Sequence, residues 1–187
     1  MKIFIREELN LDLRTQKTSK SIINAFLQLR AHKPLEKITV KELSQLAEIN
    51  KATFYLHYHD IYELSEKLEN EVVQSTLHAI EHPEMIFKDT KVFIRELAQA
   101  FVANEQLIKI LFEGSRSGCF VTIFETELKA LITKVYPEYK ESLEKNVAIT
   151  YLIYGGYYTY FKYSNHGAEP VFNLIGQLSE EIVKLYE

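Results

Sequence analysis

An all-α fold is predicted by three observations. Apolar residues recur at helical spacing along almost the whole chain, no stretch sustains the alternation of a strand, and all four prolines fall where one helical pattern gives way to another. Thr18 or Ser19 is placed to cap a first helix with Ile22, Ile23, Phe26, Leu27 and Leu29–Arg30 on its core side, ending before Pro34. Thr39 and Glu42 form a T-x-x-E capping box ahead of a short helix with the stripe Val40, Leu43 and Leu46–Ala47. Ala47 to Ile49 make a tight turn, and Asn50 is a second good N-cap, positioned to accept from the amide of Thr53 or its neighbour. A long helix from about Asp60 carries Leu64, Leu68, Val72, Leu77 and Ile80 and stops at Pro83. Asp89 or Thr90 starts the next, with Phe93, Leu97 and Phe101 on one face, and Asn104 to Phe112 reads as a separate short helix closed near Gly114. Phe120 to Tyr136, the aromatic Glu141 to Ser164, and a last helix opened by Pro170 with the stripe Val171, Leu174, Ile175, Leu178, Ile182 and Leu185 complete the pattern.

Composition narrows the setting. The chain has 187 residues, enough for a sizeable core, and its single cysteine, Cys119, excludes an internal disulfide framework and suits a reducing compartment. The opening MKIFIREELN is charged throughout, without the apolar core of a secretory signal, and the longest uncharged run, Asn146 to Phe161, is too short to span a membrane. A cytoplasmic protein without membrane contact is expected. Residues 1–60 carry ten Lys/Arg against seven Asp/Glu, a net of +3, while residues 61–187 carry twelve against nineteen, a net of −7. That asymmetry fits a molecule that meets a polyanion with its N-terminal end only.

The segment Thr39 to Tyr58 has the form of a helix-turn-helix, in which a second helix enters the DNA major groove with its N-terminal half toward base edges. It resembles the DNA-binding half of the tetracycline-repressor (TetR) family. The resemblance rests on Thr39, Val40, Leu43, Ser44, Ala47, Ile49, Asn50, Thr53, Phe54, Tyr55, His57, Tyr58, Asp60 and Leu64 at the family's spacing, with Arg14 to Phe26 fitting its first helix. It implies a three-helix DNA-binding domain with its arm over residues 1–60. A helical dimerisation and effector-binding domain would then occupy residues 61–187. The function it implies is a ligand-responsive repressor that binds a palindromic operator in double-stranded DNA as a homodimer. Lys51, Ala52 and Thr53 then lie where bases are read, and Leu56 offers apolar contact, for instance to a thymine methyl. By resemblance Thr53, Tyr55 and His57 contact phosphates or bases, with Thr39 facing the backbone. Val40, Leu43, Ala47, Ile49 and Phe54 form the small core. Ser44 and Ala52 allow close packing, and Arg14, Lys17 and the rest of the N-terminal arm add electrostatic grip. Two positions depart from the pattern: Glu48 stands where the turn usually has Gly, and Ile61 where the family has a lysine after the recognition helix.

For the C-terminal body the resemblance implies that the last two helices, about Glu141–Ser164 and Pro170–Tyr186, pack against their copies in a four-helix interface. Gly155, Gly156, Val171, Leu174, Leu178 and Ile182 are the candidate contacts. A Gly pair in mid-helix is explained by close helix approach or by a kink. Six tyrosines fall between Tyr151 and Tyr163, and Tyr151, Tyr154, Tyr158 and Phe161 share one helical face. With Phe101, Phe112, Phe120 and Phe124 that face is either core, dimer interface, or the wall of a pocket for a small hydrophobic or aromatic effector.

His78-Ala79-Ile80-Glu81-His82 matches an H-x-x-E-H metalloprotease pattern, with two histidines at i and i+4 on a helix. Pro83 ends that helix at once, and histidines in a last helical turn are favourable through the macrodipole alone. No catalytic residue, metal or cofactor is assigned, and no enzyme is expected. Besides the DNA-binding regulator, two readings stay open: a protein-binding co-regulator with weakened DNA binding, and a helical metal-dependent enzyme.

Overall fold

Thr18 lies inside a helix rather than at its start: its hydroxyl donates back to the Arg14 carbonyl at 2.9 Å, the bond of a mid-helix threonine. In the computed structural model, which describes residues 2–186 and the side chains of residues 14–185, helix α1 spans Lys2–Arg30. The arm expected to grip DNA lies, for its residues before 14, outside the described side chains; Arg14 and Lys17 are exposed. The other helices are α2 (Val40–Leu46), α3 (Lys51–His57), α4 (Ile61–His78), α5 (Met85–Lys88), α6 (Thr90–Leu111), α7 (Cys119–Val135), α8 (Leu143–Tyr163) and α9 (Ala168–Val183). Among the described residues the fold is helical throughout, with no strand. No described helix is long and apolar enough to cross a membrane.

Two elements differ from expectation. α6 is one helix over the whole stretch read as two, and Asn104 sits within it, its amide donating to the Ala100 carbonyl at 3.1 Å. No Gly or Pro lies between Thr90 and Leu111, so nothing in the backbone interrupts the ladder. The single turn α5 fills the gap between Pro83 and Asp89, whose carboxylate caps α6 by accepting from the Val92 amide at 3.1 Å.

The chain divides into two compact units, Met1–Leu68 with Ile110–Ser115 and Glu69–Lys109 with Arg116–Glu187. The division falls within α4, whereas the resemblance implies a border at residue 60. A helix does not have to end where a compact unit does.

In the first unit Ile22, Phe26, Leu43, Phe54 and Leu64 are completely buried. Arg30 is buried beside them, and its guanidinium donates to the carbonyls of Lys33 (3.3 Å), Leu111 (3.3 Å) and Glu113 (2.7 Å). The Leu111 carbonyl belongs to the last turn of α6, where backbone acceptors lack intrahelical partners, so the cation caps that end.

In the second unit α8 packs against α7 and α9. Gly176 lets α9 lie close to α6: a Cβ there would sit 3.5 Å from the Ile94 Cγ2 atom. Glu69 is fully buried and held by Arg116, whose Nε lies 3.0 and 3.2 Å from the two carboxylate oxygens. A forked guanidinium satisfies a carboxylate that burial would otherwise penalise by several kcal/mol.

Candidate nucleic-acid interface and inner cavity

Local chemistry fixes the geometry of α2, the turn and α3. Thr39 Oγ1 accepts from the Glu42 amide at 3.2 Å, which is one half of the expected capping box. The other half is absent, because the Glu42 carboxylate is taken by Lys33 Nζ at 2.6 and 2.7 Å. After α2 the Ile49 amide donates to the Ser44 carbonyl at 2.9 Å and the Glu48 amide to Gln45 at 3.2 Å. This pair of bonds is a Schellman cap, which demands a left-handed residue in between. That residue is Glu48, at φ +56°. A side chain in this region costs about 1–2 kcal/mol relative to ordinary helical backbone, so Glu48 sits under strain.

Asn50 then starts α3, its Oδ1 accepting from the Thr53 amide at 2.7 Å and from the Thr53 hydroxyl at 3.0 Å. Phe54 and Tyr58 turn inward, with ring centroids 5.9 Å apart. The opposite face carries Lys51 and Ala52, both exposed, with Tyr55 57% and Leu56 85% exposed. Tyr55 stands edge-on to Phe54 at 5.6 Å, a contact that braces its ring although the residue is mostly exposed. Thr53 and His57 are half-buried at the border, and Thr39 is exposed at the start of α2. Of these residues Thr53 alone has its hydroxyl proton committed, to Asn50, leaving it an acceptor unless that bond is exchanged. Ala52 faces solvent, so of the two small residues expected to allow close packing only Ser44 is buried. Ile61 is buried at the start of α4, so its side chain serves the first unit's core.

The second unit contains a partly open apolar pocket of about 110 Å³. Phe93, Leu97 and Phe101 of α6, Phe120 and Phe124 of α7, and Tyr160 of α8 form much of its wall. Phe101, Phe120 and Phe124 therefore lie together as expected. Phe112 does not join them; it is buried in the first unit. Tyr151 and Tyr158 are exposed, Tyr154 is half-buried, and none of the three lines the cavity.

The inward side of α8 is instead Ile149, Ile153, Gly156 and Tyr160, with Tyr157 beside them. Those four residues follow the i, i+4, i+7, i+11 spacing of one helical face, a pattern that tyrosines on every side of the helix obscure in the sequence. Tyr157 donates to the Ser117 carbonyl at 2.9 Å and Tyr160 to Glu105 Oε1 at 3.1 Å. Burial, reinforced by the neighbouring Glu105 carboxylate, pushes the Tyr160 phenol up to about 12.

The residues expected at a self-contact separate into two groups. Leu174, Leu178 and Gly155 are exposed and Ile182 is half-buried. Val171 is buried, and Gly156 lines the cavity, where a Cβ would meet Ile175 Cγ2 at 3.6 Å. The outward side of α8 adds Leu143, Val147, Tyr151 and Tyr158, so α8 and α9 both carry exposed apolar side chains.

His78 is the last residue of α4 and His82 lies beyond it, so the pair does not occupy consecutive turns of a helix. His82 Nδ1 lies 3.4 Å from a Glu84 oxygen, while Glu96 accepts from the backbone amides of Glu81 and His82 at 3.0 Å. Among the described residues no group of three His, Cys, Asp or Glu side chains could hold a metal ion. No protein-family model matches the chain, and no curated protein matches it.

Proposed function

We propose that the chain is a TetR-like transcriptional regulator, a homodimer that binds a palindromic operator through a helix-turn-helix formed by α2 and α3. The observation that carries this reading is the outward face of α3. Lys51, Ala52, Tyr55 and an almost fully exposed Leu56 sit together beyond a capped N-terminus, on a helix anchored from behind by Phe54. An exposed leucine beside a lysine and a phenol suits a groove that offers thymine methyls, phosphate oxygens and base edges at once. Lys51 supplies charge near the bases, Tyr55 and His57 contact phosphates, and Thr39 meets the backbone at the start of α2. The exposed apolar residues of α8 and α9 support self-association, which presents two copies of α3 to two half-sites. A small hydrophobic or aromatic effector in the second unit lowers operator affinity by favouring a conformation that binds DNA less well.

Selection of bound sequences from random duplexes tests the proposal. A palindromic consensus is expected, with affinity that falls steeply as salt rises. Lys51→Ala should weaken binding and reduce the salt slope by about one phosphate contact per subunit. Tyr55→Phe should weaken binding with little change in sequence preference; equal operator affinity at several salt concentrations sinks that assignment. The exposed apolar set Leu46, Tyr55 and Leu56 also suits a protein partner, as in a co-regulator. Failure of any duplex to enrich selects that second reading.

A further inference from the structure

We propose that Glu48 is an affinity-limiting residue of the helix-turn-helix, its carboxylate opposing the DNA phosphates beside α3 and weakening every duplex complex the chain forms. The inference rests on the regulator proposed above and adds a residue that acts against binding. Strain is the first observation. Among the described residues Glu48 is the one non-glycine residue with positive φ, at +56°. A side chain held in so sparsely populated a region costs stability, and residues of this kind cluster at functional sites. No internal contact offsets the cost. Glu48 is exposed, and among the described residues no hydrogen bond or ion pair engages its carboxylate.

Charge is the second observation. The segment Thr39 to Tyr58 holds four formally charged residues, Lys41, Glu42, Glu48 and Lys51. Glu42 is neutralised by Lys33 at 2.6 Å. Lys41 and Lys51 are exposed and, among the described residues, unpaired. Glu48 is therefore the one uncompensated anion in a segment that otherwise offers cations to a polyanion. The Schellman bonds that close α2 hold it there. It stands two residues before Asn50, the cap of α3, and two residues of chain reach at most about 7 Å. Charges closer than the Debye length, about 8 Å at physiological salt, still feel one another. A phosphate beside the first turn of α3 lies within that range of the Glu48 carboxylate. The repulsion at one subunit is modest, and in a homodimer the two factors multiply.

Binding of the wild-type chain, Glu48→Gln and Glu48→Gly to one random-sequence duplex, titrated at several salt concentrations, tests the role. Glu48→Gln keeps the side-chain length and the left-handed backbone and removes only the charge. It should bind about two- to fivefold more tightly per subunit at low salt, a gain that shrinks as salt rises. Glu48→Gly should tighten binding by a similar factor. Tightening by the Gly variant without tightening by the Gln variant assigns the effect to the backbone and overturns the proposal. A gain that does not change with salt overturns it as well. Equal, measurable affinity of the wild type and Glu48→Gln rejects the role of Glu48 while leaving the regulator intact. A duplex bound by Glu48→Gln and not by the wild type supports the role in its strongest form. Failure of all three proteins to bind any duplex rejects the regulator, and this role with it.

Discussion

Helices α3 and α8 both show tyrosine to solvent and bury another aromatic ring, Phe54 in α3 and Tyr160 in α8, yet they are held in opposite ways. α3 has seven residues and is fixed by neighbours in sequence: Asn50 caps its start, the Schellman bonds around Glu48 aim it, and Phe54 roots it. α8 has twenty-one residues and is fixed from afar, by Tyr157 to Ser117, Tyr160 to Glu105 and Thr150 to Glu125. A short capped helix has its outward face decided locally. A long helix with apolar side chains all round takes its orientation from whatever packs against it.

Paired substitutions can break or sharpen this contrast. The largest effect is expected at Phe54→Ala, which should cost about 3–5 kcal/mol in urea unfolding, whereas Leu56→Ala should stay within about 0.5 kcal/mol while weakening DNA binding. Similar stability losses at both positions would show that α3 has no free face. On α8, Ile153→Ala should cost about 2–4 kcal/mol. Tyr151→Ala, measured at low protein concentration, should be near neutral, and the reverse order would mean that α8 is turned the other way.

In the turn, Glu48→Gly removes a side chain from φ +56° and should raise stability by about 1 kcal/mol, seen as a higher denaturation midpoint. A loss would show that the Glu48 side chain contributes something beyond the backbone strain it carries.

The smallest effect concerns pH. The Tyr160 phenol ionises at about 12 in the folded chain against an ordinary value of 10.0. Between those values the unfolded chain has released a proton that the folded chain retains, so the contribution is full below the lower value and is lost as pH rises through the upper one. Tyr160→Phe should cost about 0.5–1.5 kcal/mol near neutrality through the lost hydrogen bond to Glu105. It should also flatten the fall in stability across that alkaline window. An unchanged difference between the two proteins over the window would contradict the burial of Tyr160.

Legibility followed the range of the interactions. Asn50 and Thr39 act within three residues of themselves, so their caps are legible in the sequence, whereas the strain at Glu48 is not, because its left-handed backbone is set by the Schellman bonds that the fold forms around it. The second half of the capping box was out of reach, since Lys33 reaches Glu42 from another segment. Asn104 resembled a helix start because asparagine caps helices, but the same amide bonds equally well to the carbonyl four residues back within α6. Phe112 shares its residue type with Phe101, Phe120 and Phe124 but belongs to the first unit, a difference that residue type does not encode.

The sequence by itself determined the helical class and the caps that start α2 and α3, because caps and 3.6-residue periodicity are local properties of the backbone. Only the tertiary structure decided which tyrosines of α8 point inward. The same was true of the Arg30 guanidinium at the carbonyls of Leu111 and Glu113, and of the α6 and α7 phenylalanines that line an apolar pocket with Tyr160. Those outcomes depend on contacts between residues far apart in the chain, and a helix with apolar side chains on every face carries no preference among them until its neighbours are in place.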